Sequence, residues 1–590
     1  MILNALYELY GRLADAGEDV PRMGASSQKI GFRIILTPAG DYVRIEDARA
    51  VVVTTKPGKR GTTETRKLVV REQMVPGEGK PSGSGVNPCF LWDNAAYLLG
   101  CVAVKPRALE YFAETRRKHL EVESQVNSPE FSAVCRFLES WQPERCETEF
   151  ANKDLFTTNG VFRIQGDELD VHEDPAVRRW WAETGNDTWR GGKQVTPRQG
   201  MCLITGRTAP IAQLHNPAIK GVRDAQSSGA KLVSFNQSSF NSYGKEQSFN
   251  SPVSEEAAFA YCNALNYLLG SPKNHLQVGD ATTVFWTDSP KESRGEDELF
   301  IGNALDAGKF EAMDAELRDS VKARLGDLAA GHPVGDYLQH ADQVRFYILG
   351  LSPNASRLSV RFFRESTLGD FIRHLQAHFA ALQLQPRGGK FDDPAVITPY
   401  MILRETARET KDVPPLFGGA LMRAILTGSR YPDAIAGAVL RRFRADFRIN
   451  YIRCAYLKAW LTRKSPTYTL TPMLDTNNTQ PGYVLGRLFA ALVKTQEDAL
   501  PGLNRTLKDA YYATASSTPQ YVFPRIMKLH LHHLAKLEGG RRVNREKLVQ
   551  EIMARLAAFP ARLTMEQQGL FALGFYHQTQ DFFKPKNNEQ

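Results

Sequence analysis

Residues 219–269 read IKGVRDAQSSGAKLVSFNQSSFNSYGKEQSFNSPVSEEAAFAYCNALNYLL. The first part, residues 219–254, is rich in Gln, Ser, Asn, Gly and Lys and poor in acids, and we call it the amide loop. The second part is amphipathic and predicts a helix. The loop offers many hydrogen-bond donors and acceptors but no catalytic group, so we expect it to recognise a polar ligand.

Two interpretations of the amide loop are open from composition. In the structural one, Gly229, Gly244 and the Asn and Ser residues satisfy turn geometry, and the loop covers a sheet edge. In the functional one, the side-chain amides contact base edges while Lys231 and Lys245 supply positive charge. Composition favours neither interpretation.

Bulk properties exclude several classes of protein. The chain has 590 residues, 42% of them apolar, which predicts a globular protein of roughly two to four domains. Its seven cysteines never form a CxxC pair, which is typical of reduced thiols in the cytoplasm. Leucines at helical spacing near the N-terminus predict a folded helix and no signal peptide. No apolar run is long enough to predict a membrane span.

Positive charge is concentrated in the C-terminal third. Residues 387–590 contain 30 Lys and Arg against 17 Asp and Glu, a net charge of +13. Residues 1–386 contain 44 against 48, a net charge of −4. This asymmetry favours binding of a nucleic acid over a solvated basic face without a partner.

The periodicity predicts an α+β fold, with a mixed N-terminal region of small β-sheets and helices followed by an all-α C-terminal helical bundle. Residues 386–394 are the best linker candidate. We expect three domains: an α+β region at 1–386, a basic helical connector at 387–472 and a helical bundle at 473–590. This assignment rests on three kinds of predicted element. The strands are Ile30–Leu36, Tyr42–Ile45 and Val51–Thr54, and a hairpin spans 344–363 with its connection at Ser352–Ser356. The helices span 107–141, 304–330 and 435–461.

Two basic segments are candidates for phosphate contact. One is an extended hairpin after residue 54, in which Lys56, Lys59 and Arg60 meet phosphates; a mobile surface loop is the alternative. The other is the helix predicted over 435–461, with Arg441, Arg444 and Arg448 on one face. A core-facing helix with a solvated basic face has the same pattern, and only the regional charge favours phosphate contact.

Motifs for catalysis are missing from the sequence. It contains no GxxxxGK[ST] phosphate loop, no HExxH and no GxSxG. His530, His532 and His533 form a dense histidine group, but no acid or cysteine is adjacent, so we favour a helix face over a metal site. We expect no enzyme activity, no metal and no cofactor.

The chain resembles the large subunit of the type I-C CRISPR interference complex, Cascade. The resemblance covers nearly the whole chain and rests on specific segments rather than on generic motifs. These are MILNALYELYGRLA at the start, SSQKIGF, NPCFLWDNAAYLLG, CLITG, LHNPAIKGV, the amide loop with SEEAAFAYCNALNYLL, and the C-terminal segments YVLGRLFAAL, ASSTPQYVFPRIM and MEQQGLFALGFYHQ.

The resemblance implies a non-catalytic subunit of a guide-RNA surveillance complex for antiviral defence. Such a subunit recognises the protospacer-adjacent motif on double-stranded DNA, promotes R-loop formation and helps recruit a helicase-nuclease. Its other expected partners are the crRNA, repeated backbone subunits, small subunits and the displaced single strand. The segment from Met473 to the end resembles the Cascade small subunit, which in this subtype arises by internal translation; Met473 is equally explained as an ordinary methionine.

The resemblance indicates which region recognises the motif more firmly than it indicates which individual residues do so. Our candidates for DNA-motif binding are Gln226, Ser227, Ser228, Asn236, Gln237 and Lys245, with Gln28 and Lys29 as a second choice. A nuclease and a ribonuclease that processes guide RNA are the alternative functions.

Overall fold

The computed structural model describes residues 2–58, 61–77, 79, 85–150, 152–189, 198–306, 323, 326–328, 340–387, 393–465 and 468–583. The chain divides into two compact units. Unit 1 comprises Met1–Ile219 and Val233–Tyr267, and unit 2 comprises Lys220–Leu232 and Leu268–Gln590. The functional division predicted at residues 386 and 472 stays a prediction.

Unit 1 mixes helices and strands, as predicted for the N-terminal region. Its helices are α1 (Ile2–Asp15), α2 (Ala95–Leu98), α3 (Ala108–Val122), α4 (Pro129–Ser140), α5 (Cys146–Glu149), α6 (Pro175–Trp180), α7 (Asn186–Trp189) and most of α8 (Glu255–Gly270). Its strands are β1 (Ala25–Leu36), β2 (Tyr42–Asp47), β3 (Ala50–Gly58), β4 (Gly61–Val69), β5 (Arg71–Pro76), β6 (Trp92–Asn94), β7 (Asn159–Ile164), β8 (Gln199–Met201) and β9 (Thr208–Pro210).

Strand β1 organises the five-stranded sheet of unit 1. On one side it pairs in parallel with β7, and β7 pairs antiparallel with β6. On the other side, residues 25–30 pair with β5 and residues 32–36 pair with β2. The predicted strands Ile30–Leu36 and Tyr42–Ile45 are confirmed. The predicted strand Val51–Thr54 lies in β3, which pairs only with β4 as a separate hairpin.

The core of unit 1 surrounds Phe90, which is buried. Its ring stacks on Trp181 with centroids 4.9 Å apart and on the His119 imidazole at 5.6 Å. His119 Nδ1 lies 2.7 Å from the Thr115 carbonyl oxygen, and the Leu91 N–H donates to Nε2 at 3.1 Å. This arrangement needs a neutral imidazole with its proton on Nδ1, because a protonated Nε2 cannot accept. Burial lowers the pKa of His119 to about 4.

Unit 2 combines one sheet with many helices. Its strands are β10 (His275–Val278), β11 (Ala281–Thr287), β12 (Arg345–Asn354) and β13 (Arg357–Thr367). Its helices are α9 (Lys291–Leu305), α10 (Leu368–Leu382), α11 (Pro399–Arg404), α12 (Pro415–Thr427), α13 (Asp433–Asp446), α14 (Tyr451–Lys464), α15 (Pro481–Ala499), α16 (Leu507–Ala515), α17 (Pro519–Leu534), α18 (Gly539–Met553) and α19 (Met565–Phe582).

The sheet of unit 2 is antiparallel in the order β10-β11-β12-β13. The hairpin predicted over 344–363 is confirmed as β12 and β13, but its connection is shorter than Ser352–Ser356. Only Ala355 and Ser356 separate the paired residues Asn354 and Arg357. Ala355 takes a left-handed φ of 54°, which suits the twist of a tight hairpin turn.

The C-terminal part is helical, as predicted. Among the described residues from Pro399 to Phe582, helices are assigned and no strand is. The prediction of a single helix over 435–461 is wrong, because α13 ends at Asp446 and a separate helix, α14, begins at Tyr451. Phe447 adopts a left-handed φ of 54°, and the Asn450 side chain caps α14 by accepting the Arg453 N–H. The helix predicted over 304–330 lies mostly outside the described residues.

Helices α15 and α19 approach each other closely through three glycines. A Cβ at any of them would overlap a backbone carbonyl oxygen of the opposite helix. The glycines and the carbonyls that face them are Gly482 and Gln567, Gly486 and Phe571, and Gly574 and Tyr483. The contact therefore has room for hydrogen only.

Replacing a contact glycine should destabilise the bundle. In Gly486→Ala the new methyl meets backbone rather than a movable side chain, so the two helices must separate, at a cost of about 3 kcal/mol. In the control Gly437→Ala on α13, the nearest atom to the new Cβ is Arg441 Nη1 at 3.6 Å, an ordinary contact. Because Ala forms helix better than Gly, this control should be neutral or stabilising. Urea unfolding measures both, and equal stabilities would contradict the contact.

His119 should make stability depend on pH. An unfolded histidine binds a proton near pH 6.5, whereas folded His119 stays neutral down to about pH 4. Between these values the unfolded state binds more protons, so the free energy of unfolding falls as pH drops, by about 1.4 kcal/mol per pH unit. His119→Gln keeps a donor and an acceptor but cannot be protonated. Its unfolding free energy should vary less with pH over this window, and an unchanged slope would exclude His119 as a source.

Candidate nucleic-acid interface

The amide loop is divided between the two units. Residues 220–232 pack within unit 2, whereas residues 233–254 pack within unit 1. The candidates Gln226, Ser227 and Ser228 therefore belong to one unit, and Asn236, Gln237 and Lys245 belong to the other. Nothing in the composition of the loop predicted this division.

In unit 2, the first half of the loop is fastened to the end of the β12–β13 hairpin. The Lys231 N–H donates to the Ser356 carbonyl at 3.0 Å, and the Leu358 N–H donates to the Lys231 carbonyl at 2.9 Å. Two residues before Lys231 the chain turns at Gly229, which has a φ of 94° and whose N–H donates to the Gln226 carbonyl at 2.9 Å. The candidates Gln226, Ser227 and Ser228 are exposed at this turn. Their side chains stand on a backbone that is held by strand-like hydrogen bonds.

In unit 1, the second half of the loop lies against β8, β9 and the turn between them. The Leu203 N–H donates to the Pro252 carbonyl at 2.9 Å, and the Ala212 N–H donates to the Val253 carbonyl at 2.9 Å. The candidates Asn236 and Gln237 are exposed before a short 3-10 turn, and Lys245 is half-buried.

Cys202 ties the turn between β8 and β9 to the end of the loop, just before α8. Its Sγ accepts the N–H groups of Ser254, Ile204 and Thr205 at 3.2, 3.4 and 3.5 Å. Burial raises the pKa of the Cys202 thiol, but the hydrogen bonds from Ser254 and Thr205 outweigh burial and lower the pKa to about 7. All seven cysteines are free and buried. The sequence showed no signal for this role of Cys202 beyond the CLITG segment itself.

The second-choice residues Gln28 and Lys29 lie on β1 in unit 1, opposite Gln73 and Glu72 of β5. Gln28 is half-buried and its amide donates to Ser26 Oγ at 3.1 Å, whereas Lys29 is exposed. Of the basic hairpin, the candidates Lys59 and Arg60 lie outside the described residues. For Lys56 only its backbone position in β3 is described.

The three candidate arginines of 435–461 do not share one helix face. Arg441 is exposed on α13, and Arg444 is half-buried and donates to the Gln568 side chain of α19. Arg448 is exposed but lies in the connection after α13, because the predicted helix is broken there. The three arginines therefore lie in three different environments: exposed on a helix, half-buried against α19, and exposed in a connection.

A larger basic surface lies further along the bundle. Within residues 521–562, the exposed cations outnumber the exposed acids Glu538, Glu546 and Glu551. The cations are Arg525, Lys528, Lys536, Arg541, Arg542, Lys547, Arg555 and Arg562. We call these eight residues the basic helix surface; the regional charge count signalled it, but the choice of individual residues missed it.

The histidine group shows no metal-binding geometry. His530 is buried, and neither of its ring nitrogens has a hydrogen-bond partner in the described structure. Burial lowers the pKa of His530 to about 4, so it is neutral near pH 7. Across the residues that the structure describes, no three His, Cys, Asp or Glu side chains are grouped to hold a metal ion.

Comparison with known families decides the identity of the chain. The family model for CRISPR-associated proteins of the Cas_Csd1 type matches residues 6–583. The chain belongs to the Cas_Csd1 family. The family resemblance inferred from the sequence is confirmed. No curated protein matches the chain. No helix in the described part of this Csd1-family protein is long and apolar enough to span a membrane.

In this Csd1-family protein a buried ion pair fixes the basic connection between α13 and α14. Arg453 is 3% exposed, and its Nη1 and Nη2 donate to the two carboxylate oxygens of Asp446 at 2.7 and 2.8 Å. Its Nε donates to Glu405 at 2.6 Å, and Nη1 also donates to the Arg448 carbonyl at 2.9 Å. Burial raises the pKa of the Asp446 carboxyl, but the hydrogen bonds from Arg453 and from the Arg448 N–H, with the charges of Arg453 and Arg442, together outweigh burial and hold the pKa below its usual range.

Removing Arg453 should destabilise this Csd1-family protein strongly. Arg453→Met keeps most of the side-chain volume but leaves Asp446 and Glu405 without their buried partner, which should cost about 3 kcal/mol. Arg441→Met on the neighbouring helix is the matched control, and as an exposed site it should change stability by less than about 0.5 kcal/mol. Thermal unfolding of both variants checks this, and a small loss for Arg453→Met would show that the ion pair does not hold the connection.

Proposed function

We propose that this CRISPR-associated protein is the non-catalytic large subunit of a crRNA-guided type I-C Cascade complex. In this role it recognises the protospacer-adjacent motif in double-stranded DNA, promotes R-loop formation and helps recruit the helicase-nuclease. Membership of the Cas_Csd1 family is the observation that carries the proposal. The exposed amide turns and the basic helix surface support it.

The amide turns suit the reading of a short duplex motif. Gln and Asn side chains present a donor and an acceptor together, which matches the paired groups on adenine and other base edges. Gln226 is exposed on the turn anchored by Lys231, and Asn236 is exposed on the loop anchored at Pro252 and Val253. Each unit of the chain therefore offers amide groups on a fixed backbone, and preorganised contacts lose less entropy on binding.

The basic helix surface suits contact with phosphates rather than bases. Its eight cations are exposed along α17, α18 and the segment that follows, and flexible cations of this kind bind the backbone without reading sequence. A surface of this type holds the displaced single strand after guide pairing has opened the duplex. The segment 473–590, which contains it, is the part that resembles the small subunit.

A non-catalytic role agrees with the chemistry that the described residues offer. The exposed candidates are amides, hydroxyls and cations, which are groups that proteins use to contact bases and phosphates. We assign cleavage of the target to the helicase-nuclease partner. Specific cutting of DNA or of precursor guide RNA by the purified chain would favour the nuclease or ribonuclease alternative.

The proposal predicts two separable effects in the assembled complex. Gln226→Ala and Asn236→Ala should relax selectivity for the flanking motif, by about 1–3 kcal/mol of discrimination for each lost base contact. Binding of the complex to a DNA library with a randomised flanking motif, followed by sequencing of the bound fraction, measures this. Unchanged selectivity in both variants would show that these amides do not read the motif.

The matched controls remove charge instead of amides. Arg541→Gln with Arg542→Gln, and separately Arg441→Gln with Arg448→Gln, should weaken binding of every library member alike. Each phosphate contact that is lost should lower the slope of log affinity against log salt by about 1. If these charge-removing variants changed the motif preference, the assignment of motif recognition to the amide residues would be wrong.

A further inference from the structure

Tyr243 is displayed on the amide loop in an unusual way. Its side chain is 98% exposed, whereas aromatic rings contribute most to folding when they are buried. Its backbone has a left-handed φ of 51°, a conformation that costs free energy for any residue with a bulky side chain. A tight turn accounts for the conformation, but folding does not explain the exposure, which points to a ligand.

The turn that carries Tyr243 is held rigidly. Tyr243 and Gly244 are its central residues, both with positive φ, and the Lys245 N–H donates to the Ser242 carbonyl at 2.9 Å. The Asn250 side chain fixes the turn further. Its Oδ1 accepts the Ser242 N–H at 3.1 Å, and its Nδ2 donates to the carbonyls of Lys245 and Gln247, each at 3.0 Å. The ring is therefore presented on a fixed backbone rather than on a loose loop.

The surroundings of Tyr243 match a nucleic acid better than a protein surface. The other exposed side chains of residues 236–247 are amides, hydroxyls and Glu246, so within this segment no exposed apolar side chain extends the ring into a patch; the exposed Met201, Leu203 and Leu214 lie outside it. Protein docking faces join several apolar side chains into one patch. In the parts of unit 1 that form this surface, residues 198–218 and 233–254, three Lys and Arg face one acid. An exposed aromatic ring on a surface with a net positive charge is an arrangement that proteins use to bind single strands.

We infer that Tyr243 is a stacking residue for an unpaired nucleobase. The inference rests on the proposed function, because it requires that the amide loop meets DNA. A base inside a duplex is already covered on both faces by its neighbours, so an isolated ring finds a free base face only where the strands have separated. Tyr243 therefore binds the separated strand, whereas the amides Asn236 and Gln237 on the same half of the loop contact paired bases.

The test compares two DNAs with the guide-loaded complex that contains the full chain. Both contain the same first strand, which has no complementarity to the guide and carries 2-aminopurine. In one DNA the second strand pairs with it fully, and in the other a mismatched second strand leaves the stretch around the 2-aminopurine unpaired. Tyr243→Ala should weaken binding to the unpaired DNA about tenfold and change binding to the paired DNA less than about twofold. Stacking should quench 2-aminopurine fluorescence with the wild type, and the quenching should be lost in Tyr243→Ala.

Two control variants separate the ring from other effects. Tyr243→Phe keeps the ring and should bind and quench as the wild type does. Tyr400→Ala removes a different exposed tyrosine, on α11 and outside the residues proposed to bind DNA, and should leave the difference between the DNAs unchanged. Equal binding and quenching by Tyr243→Ala and the wild type would overturn the inference and leave the proposed function standing, as would an equal loss on both DNAs. If the wild-type complex binds neither DNA, the proposed function fails as well.

Discussion

The contact between α15 and α19 is the constraint on which the C-terminal bundle depends. Because Gly482, Gly486 and Gly574 bring backbone against backbone, these two helices form a pair with almost no freedom to slide. Helix α14 packs on the same pair, where Gly569 lies close to Trp460 and Leu461. The position of α14 in turn places Arg453, and Arg453 fixes the connection that carries Arg448. A steric requirement in the core thus reaches a charged residue at the surface.

The amide loop follows a different rule, because hydrogen bonds from each of its halves to neighbouring strands and turns supplement a few buried side chains such as Val222 and Val253. The backbone of Lys231 is hydrogen-bonded to the β12–β13 hairpin of unit 2 in the way that a further strand would be. In unit 1, the Asn250 side chain forms hydrogen bonds with backbone groups around the turn. Cys202 adds a third kind of anchor through its sulfur. These anchors leave the side chains between them exposed, while the backbone loses little further entropy when a ligand binds.

Periodicity predicted the elements whose apolar pattern is local, and it failed where tertiary contacts decide. Strands β1 and β2, the β12–β13 hairpin and helix α8 all carry a pattern that can be read within one element. The apolar stripe of Val439, Phe443 and Phe447 continues through the break after α13, so the sequence suggested one helix. The break depends on the Asn450 cap and on burial of Arg453, and the ion pair requires Glu405 from a distant helix end. Likewise, the segments that contain Gly486 and Gly574 were recognised in the sequence, but the close contact between these glycines and the opposite backbone exists only when both helices are packed together.

Charge in the C-terminal third has an interior component as well as a surface one. Arg487 is 3% exposed, and its partners are the Gln578 side chain and the Thr476 carbonyl rather than a carboxylate. Arg463 is half-buried and donates to the carbonyls of Ala424 and Ser429. Burial lowers the pKa of both guanidinium groups, yet an arginine keeps its charge at neutral pH. Neutral partners solvate these cations without cancelling their charge, and charges inside a protein are screened less by salt than those at its surface. The positive electrostatic field of unit 2 therefore includes arginines in its interior, such as the buried Arg487, as well as those at its surface.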